Sequence, residues 1–369
     1  MASVRVGRAV ALLVGLLVTG LFGLAYTRYQ RDIHHARERV STGSHMVQTP
    51  CGPIEYALAG EGPPVLVVHG AGGGYDQGLE FGEPLVHRGF RIIAMSRFGY
   101  LRTPLPTDAS ASAQADAHAC LLDALQIQRA AVVGASAGAP SAMQLALRHP
   151  DRCRAMVLLV PAAYVPRPND APPMQTPAGT EFLFETALKS DFLFWVATRL
   201  ARSTVIRAIL ATPPAVVEGA SADEQARVGQ VLKHILPVSP RRLGLLNDAA
   251  VTSSLPRYEL ERITVPTLVI SMADDLFGTF DGARYTAAHM PRARFIGYPS
   301  GGHLWVGHQS DVMAEIMAFL QSRETKHGYP SKHAADQHHQ RGQQHASLLR
   351  RPAACWWRVS PCPPSAMGG

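Results

Sequence analysis

The residues of this chain best suited to chemistry are in Gly134-Ala135-Ser136-Ala137-Gly138, which follows the apolar run Ala130 to Val133 and precedes a helical pattern from Ala137 to Arg148. Small and β-branched residues feeding a G-x-S-x-G turn and then a helix form a nucleophile elbow, with the serine on a strained strand-to-helix corner. Gly134 and Gly138 supply room there that a Cβ would deny. The serine Oγ then sits at a helix N-terminus, where free N–H groups favour negative charge. A second loop, His69-Gly70-Ala71-Gly72-Gly73-Gly74, follows the apolar run Val65 to Val68. It has neither the G-K-[ST] ending nor the G-x-G-x-x-G spacing of a phosphate loop. It reads instead as half of an oxyanion hole, with one backbone N–H from Ala71 or Gly72 and the other from Ala137. Each such donor lowers the barrier by about 3 kcal/mol when aimed at a developing oxyanion.

Positioning these loops requires a sheet. Apolar runs of the kind buried on both faces of a parallel sheet recur at Val65 to Val68, Arg91 to Met95, Ala130 to Val133, Ala155 to Val160, Thr267 to Ser271 and Arg294 to Tyr298. Helical patterns at Ala113 to Leu125 and Ala137 to Arg148 alternate with them, and a short hairpin (Met46 to Thr49, Ile54 to Ala59) opens the series. The expectation is an α/β fold with a doubly wound, mostly parallel sheet. The alternation is interrupted over residues 164–255 by a segment rich in Pro (Pro166, Pro168, Pro172, Pro173, Pro177) and then in Phe182, Phe184, Phe192, Phe194 and Trp195. Helical patterns follow at Val196 to Leu210 and Ala222 to Ile235, so this stretch reads as a helical cap inserted over the elbow, with the core in residues 46–163 and 256–323. Most of the aromatics serve the cap core, and the remainder line an apolar pocket.

The order of HGAGGG, SRFGYLRTPLP, GASAGAPSAMQLALRHP, VPTLVISMADDLFG and GGHLWVGHQ resembles the α/β-hydrolase fold family, in its lipase, esterase and C–C hydrolase-like branch with a cap. The likeness covers roughly residues 47–323. It implies Ser136 as nucleophile, an acid after the strand Thr267 to Ser271 and a histidine before the last helix, in the chain order Ser, Asp, His. Of the adjacent Asp274 and Asp275, the G-x-x-D spacing selects Asp275, although Met272 stands where the glycine is usual, and Asp274 becomes a turn residue or N-cap. His303, behind Pro299-Ser300-Gly301-Gly302, is the histidine, with His308 as competitor. Arg97, in the loop after Arg91 to Met95, is placed near the site edge as a substrate contact or a structural ion pair. Gly72 is a further possible contact. Members with aspartate at the elbow are epoxide hydrolases and haloalkane dehalogenases, so Ser136 implies acyl transfer through a covalent ester and no cofactor or metal. Carboxylic esters are the expected substrates. C–C bond hydrolysis, acyl transfer or perhydrolysis on the same triad, and a non-catalytic binding protein of the fold, are the alternatives.

Composition limits the remaining classes. The formal charge of +7 on 369 residues lies at the ends: residues 1–45 carry six Lys/Arg against two acids, and residues 323–369 seven against two. The middle is close to neutral, which speaks against a nucleic-acid-binding face. A hydrophobic content of 47% is ample for a large core. Five scattered cysteines without a C-x-x-C pair suggest neither a disulfide framework nor a zinc site. Ala9 to Ala25 is a nearly unbroken apolar run flanked by Arg5 and Arg8 and by Arg28, Arg31, Arg37 and Arg39. It reads as a retained membrane anchor followed by a basic linker, with a cleaved signal peptide as the other reading. The catalytic domain is then expected on the exoplasmic or periplasmic side, or secreted. Residues 324–369, rich in His, Gln and Pro, read as a disordered tail.

Overall fold

Val65–Val68 are buried on both faces of their strand, as a continuous apolar run in a parallel sheet must be. The computed structural model describes residues 2–166 and 187–324. Among them are the strands β1 (His45–Thr49), β2 (Gly52–Ala59), β3 (Pro64–Val68), β4 (Arg91–Met95), β5 (Ala130–Ala135), β6 (Cys153–Leu159), β7 (Thr267–Met272) and β8 (Ala293–Tyr298). They form one sheet in the order β1-β2-β4-β3-β5-β6-β7-β8. Only β1–β2 and β2–β4 pair antiparallel, and every pairing from β4 through β8 is parallel. The chain runs from β3 to β4 on one side and then returns to β5 on the other. The loops after β3 and β5 therefore part at the carboxyl edge, the topological switch point where open α/β sheets place their sites.

Alternation along each strand feeds two apolar layers. Leu66 and Val68 face α3 (Ala111–Ala124), α4 (Ala139–Arg148) and α10 (Thr279–His289), while Val65 and Val67 face α2 (Tyr75–Val86) and α11 (Gln309–Glu324). Between β6 and β7 lie the cap helices α5 (Asp191–Leu200), α6 (Arg202–Ile209), α7 (Pro214–Glu218), α8 (Ala222–His234) and α9 (Arg242–Ser253). The single helix expected over Val196 to Leu210 is two, because Ala201 leaves helical dihedrals at φ −133° and ψ 43°. Phe194 is fully buried in the cap core. The Pro-rich run from Pro168, together with Phe182 and Phe184, and the tail beyond residue 324 lie outside the described residues.

Two expectations change. The first helix, α1 (Ala2–Ser41), does not give way to a linker after the apolar run. It continues through the basic stretch and buries Ile33 and Ala36 in the apolar cluster of the cap. Arg37 pairs with Asp191 at 3.1 Å, Trp195 Nε1–H donates to Asp32 at 2.9 Å, and Tyr75 Oη–H reaches the Arg39 carbonyl at 3.1 Å. Two of the arginines that suggested a solvated linker, Arg37 and Arg39, are spent on contacts with cap and core. The cysteine expectation is corrected as well: Cys51 and Cys120 are joined in a disulfide. The turn between β1 and β2 packs beside α3, bringing the two Cα atoms to 6.2 Å across 69 residues of sequence. Cys153 is free and buried, with its thiol pushed up to about 12 by burial.

Candidate active site

Strand β5 delivers Ser136 into a three-residue turn with φ +48°, a left-handed conformation that costs a non-glycine residue about 1–3 kcal/mol. The flanking glycines have negative or extended dihedrals, so close approach is what requires them. A Cβ on Gly138 would lie 2.5 Å from the Val68 carbonyl oxygen and 2.6 Å from that of His69, and one on Gly134 would lie 2.7 Å from Ala142 Cβ. The corner is thereby pressed against the end of β3. A Cβ on Gly70 would sit 3.2 Å from Ser136 Cβ, so the glycine loop after β3 backs directly onto the serine side chain.

Ser136 Oγ lies 2.8 Å from His303 Nε2, and His303 Nδ1 lies 2.8 Å from Asp275 Oδ2. An ionised carboxylate only accepts, so Nδ1 carries the proton and Nε2 turns its lone pair to the serine hydroxyl. Asp275 is itself held: its Oδ1 accepts from the Phe277 N–H at 2.9 Å, and its Oδ2 accepts from the Thr279 hydroxyl. The neighbouring Asp274 accepts from the N–H groups of Gly301 and Gly302, at 3.2 and 2.7 Å. The two aspartates thus fix the ring and the backbone of the same histidine loop, a task for Asp274 that its sequence context did not disclose. Phe277 packs edge-on against the His303 ring with centroids 5.0 Å apart. His308 packs instead against Tyr298, with the rings tilted by 39° and their centroids 4.6 Å apart, and lies 3.8 Å from Asp311.

The loop after β3 is braced from below. The Arg97 N–H donates to His69 Nε2 at 3.0 Å, which leaves the proton on Nδ1 to donate to the Gly70 carbonyl at 2.7 Å. Burial, and then the Arg97 charge, hold the His69 imidazole well below its usual range, so it stays neutral. The Gly72 N–H donates to the Tyr100 hydroxyl at 3.2 Å and is thereby already engaged. Neither the Ala71 nor the Ala137 N–H enters a turn or loop hydrogen bond among the described residues.

Arg97, read from the sequence as a substrate contact or a structural ion pair, is engaged in a buried ion pair. Its Nη1 and Nη2 donate to Asp248 of α9 at 2.7 and 2.6 Å, and its Nε to the His69 carbonyl at 2.8 Å. The Tyr100 hydroxyl donates to the same Asp248 at 2.5 Å. A mirror-image contact runs the other way: Arg241, fully buried at the start of α9, donates to Asp76 of α2 at 2.7 and 3.1 Å and to the Gly73 carbonyl at 2.5 Å. Burial pushes the Asp76 carboxyl up, but the Arg241 charge and hydrogen bonds outweigh it and hold it below its ordinary value. Core and cap therefore exchange one buried arginine each, on either side of the glycine loop. Ile235 and Leu245 of the cap stand within van der Waals reach of a Cβ built on Gly72, which gives the loop an apolar wall.

A family model described as the alpha/beta hydrolase fold matches residues 63–306. An uncharacterised hydrolase of Bacillus subtilis (strain 168) is 26% identical over 287 residues, which are 73% of this chain and 96% of that protein. A 2-hydroxy-6-oxononadienedioate/2-hydroxy-6-oxononatrienedioate hydrolase of Paraburkholderia xenovorans (strain LB400) is 34% identical over 143 residues, 36% of this chain, and the match spans 48% of that enzyme. Among solved structures, an alpha/beta hydrolase fold protein from Nakamurella multipartita superposes with a TM-score of 0.57 at 28% identity, covering 75% of this chain and 98% of its own.

Proposed function

The chain belongs to the alpha/beta hydrolase fold family, and on that premise we propose that it is a serine hydrolase of carboxylic esters working through Ser136, His303 and Asp275. The observation that carries this reading is the hydrogen-bonded series Ser136 Oγ, His303, Asp275, with both links at 2.8 Å. Ser136 Oγ attacks the ester carbonyl carbon while His303 Nε2 takes its proton. The carbonyl oxygen becomes an oxyanion facing the Ala71 and Ala137 N–H groups, and Asp275 stabilises the imidazolium. Collapse expels the alcohol with the proton from Nε2, leaving an acyl-Ser136 ester. Water, deprotonated by the same nitrogen, then releases the acid and restores the serine.

A second reading, hydrolysis of a carbon–carbon bond beside a ketone, is favoured by the Paraburkholderia relative, whose named substrate is an oxo-dienedioate. Such a dianion needs cations at the site. Arg97 and Arg241, the buried arginines beside the glycine loop, are each spent on a carboxylate. The apolar wall of Ile235 and Leu245 suits an uncharged acyl or alcohol group better. The N-terminal helix serves as a retained membrane anchor in this reading. Its apolar stretch is exposed throughout, and the Cys51–Cys120 disulfide suits an oxidising, exoplasmic or periplasmic compartment.

The test is fluorophosphonate labelling of the full chain in detergent beside Ser136→Ala and His303→Ala, followed by turnover of p-nitrophenyl esters of increasing acyl length. Labelling that disappears in Ser136→Ala, together with ester turnover, is expected. A folded protein that neither labels nor turns over any ester refutes the proposal.

A further inference from the structure

A cavity of about 460 Å³ lies between α1, the junction of α5 and α6, and the end of α8, and neither Ser136, His303 nor Asp275 lines it. Four cationic side chains line it, Arg39, Arg199, Arg202 and Lys233, against one carboxylate, Asp32. Arg199 is paired with Asp32 at 2.6 Å, and Arg39 is directed at the carbonyls that end α8 and lies 3.8 Å from the Asp76 carboxylate, so Arg202 and Lys233 are the cations left for a ligand. Among the described residues, Arg202 makes one long hydrogen bond, at 3.5 Å to the Gln225 carbonyl, and both Arg202 and Lys233 are exposed. The floor is apolar, formed by Ala36, Trp195, Leu232 and Leu236. A cationic rim over an apolar floor fits an anionic amphiphile rather than a free sugar or a peptide.

What surrounds the cavity says which amphiphile. From Leu12 to Leu24, α1 exposes leucines and valines on every side, as a helix in hydrocarbon does. Immediately after comes an aromatic cluster in which Tyr29 packs edge-on against Phe192 and Trp195, at 5.0 and 5.8 Å, with Tyr26 beside it. One to three turns farther along α1 come Asp32 and Arg39 and the cationic cavity. At 1.5 Å per residue, Tyr29 to Asp32 spans about 4.5 Å and Tyr29 to Arg39 about 15 Å, a range that brackets the depth of a head-group layer. Apolar, aromatic and cationic zones thus follow one another along α1 in the order of a leaflet's hydrocarbon, interface and phosphates. On the cap side, Leu193 and Leu200 lie seven residues apart on one side of α5 and are 41% and 84% exposed.

We propose that this cavity seats the head group of an anionic phospholipid, so that α5 of the cap rests on the leaflet from which α1 emerges. The inference rests on α1 being a retained anchor. The cap is then membrane-facing, and the substrates nearest to it are those dissolved in the bilayer.

The experiment uses the full chain and Arg202→Gln/Lys233→Gln, a double variant whose exposed positions spare the fold and keep the Arg199–Asp32 pair. Both are reconstituted into vesicles of phosphatidylcholine mixed with phosphatidylglycerol, and the lipids retained by the protein are counted by native mass spectrometry. Wild type is expected to retain phosphatidylglycerol over phosphatidylcholine, and the double variant to lose about thirtyfold of that preference, from about fivefold per cation removed. No preference in wild type, or an equal preference in the variant, overturns the proposal. So does displacement of the lipid by millimolar inorganic phosphate, which marks a site for free anions. Alkaline carbonate extraction separates the premise: release of the full chain from the vesicles refutes the anchor itself, whereas retention without lipid preference refutes only the cavity's role.

Discussion

Replacing Asp248 by asparagine tests how firmly the cap is clamped over the site. In the native protein this carboxylate takes two N–H groups of Arg97 and the Tyr100 hydroxyl, and Arg97 and Asp248 are each only 5% exposed. Asparagine keeps one acceptor oxygen but sets an NH2 against the guanidinium, which then stays buried with its charge unmatched. Breaking such a pair from one side costs about 3–5 kcal/mol. Against a total of about 5–15 kcal/mol for a folded domain that is a large fraction, and at a urea slope of about 3 kcal/mol/M it moves the midpoint down by about 1 M or more. The same substitution weakens the hold on Tyr100, whose hydroxyl receives the Gly72 N–H. The glycine loop loosens, and kcat is expected to fall while KM for a short ester changes little. Urea unfolding followed by intrinsic fluorescence, with ester turnover measured beside it, reads both effects. In Arg97→Met/Asp248→Leu both charges are gone and most of the stability is expected back. An unfolding free energy for Asp248→Asn within about 0.5 kcal/mol of wild type, or a double variant no more stable than the single one, refutes the argument that this pair is shielded and holds the cap.

Further outcomes follow from other parts of the site. Asp275→Asn reverses the hydrogen bond that sets the His303 tautomer and is expected to lower kcat by about 10⁴, whereas Asp274→Asn, which touches only the loop backbone, costs about tenfold; equal losses in steady-state kinetics contradict the division of labour between them. Gly138→Ala places a methyl 2.5 Å from the Val68 carbonyl oxygen, so thermal unfolding should show a loss of at least about 1–3 kcal/mol with a fall in activity. His118 is fully buried with its imidazole held down at about 3 by burial and then by the Arg97 charge. Unfolded histidine titrates near 6.5, so below that pH the unfolded chain binds a proton the native one refuses, and stability falls as pH falls. Between pH 7 and pH 5 this group alone costs about 2 kcal/mol, and His118→Gln should lose that much less in urea titrations at the two pH values. Cys51→Ser/Cys120→Ser opens a 69-residue loop and is expected to cost about 2–4 kcal/mol in the same assay.

What the sequence disclosed was whatever is written in neighbouring residues. Runs such as Val65–Val68 and Ala130–Val133 mark buried strands because both faces need apolar side chains. The G-x-S-x-G turn stands out because Gly138 has no room for a Cβ. Ser136, Asp275 and His303 were reached through motifs whose spacing is local, and the structure places their side chains in hydrogen-bonding series. What stayed hidden depends on chain segments far apart in sequence. Arg97 and Asp248 are 151 residues apart, Arg241 and Asp76 are 165 apart, and no periodicity links either pair. The task of Asp274 was hidden because its acceptors meet backbone N–H groups, which every residue has. The continuation of α1 was hidden because Arg37 and Arg39 look solvated until Asp191 and the end of α8 are brought beside them.

The disulfide also changes what a cut in the chain would do. Residues 104–108 form an exposed stretch between Cys51 and Cys120, the kind of segment proteases attack. A nick there separates α1, with the glycine loop, from the part of the chain that carries Ser136, yet the two pieces remain one covalent molecule through sulfur. Such a nicked chain runs as a single species on a non-reducing gel and as two on a reducing one. The serine fragment stays tied to the fragment that carries α1 until a reductant arrives.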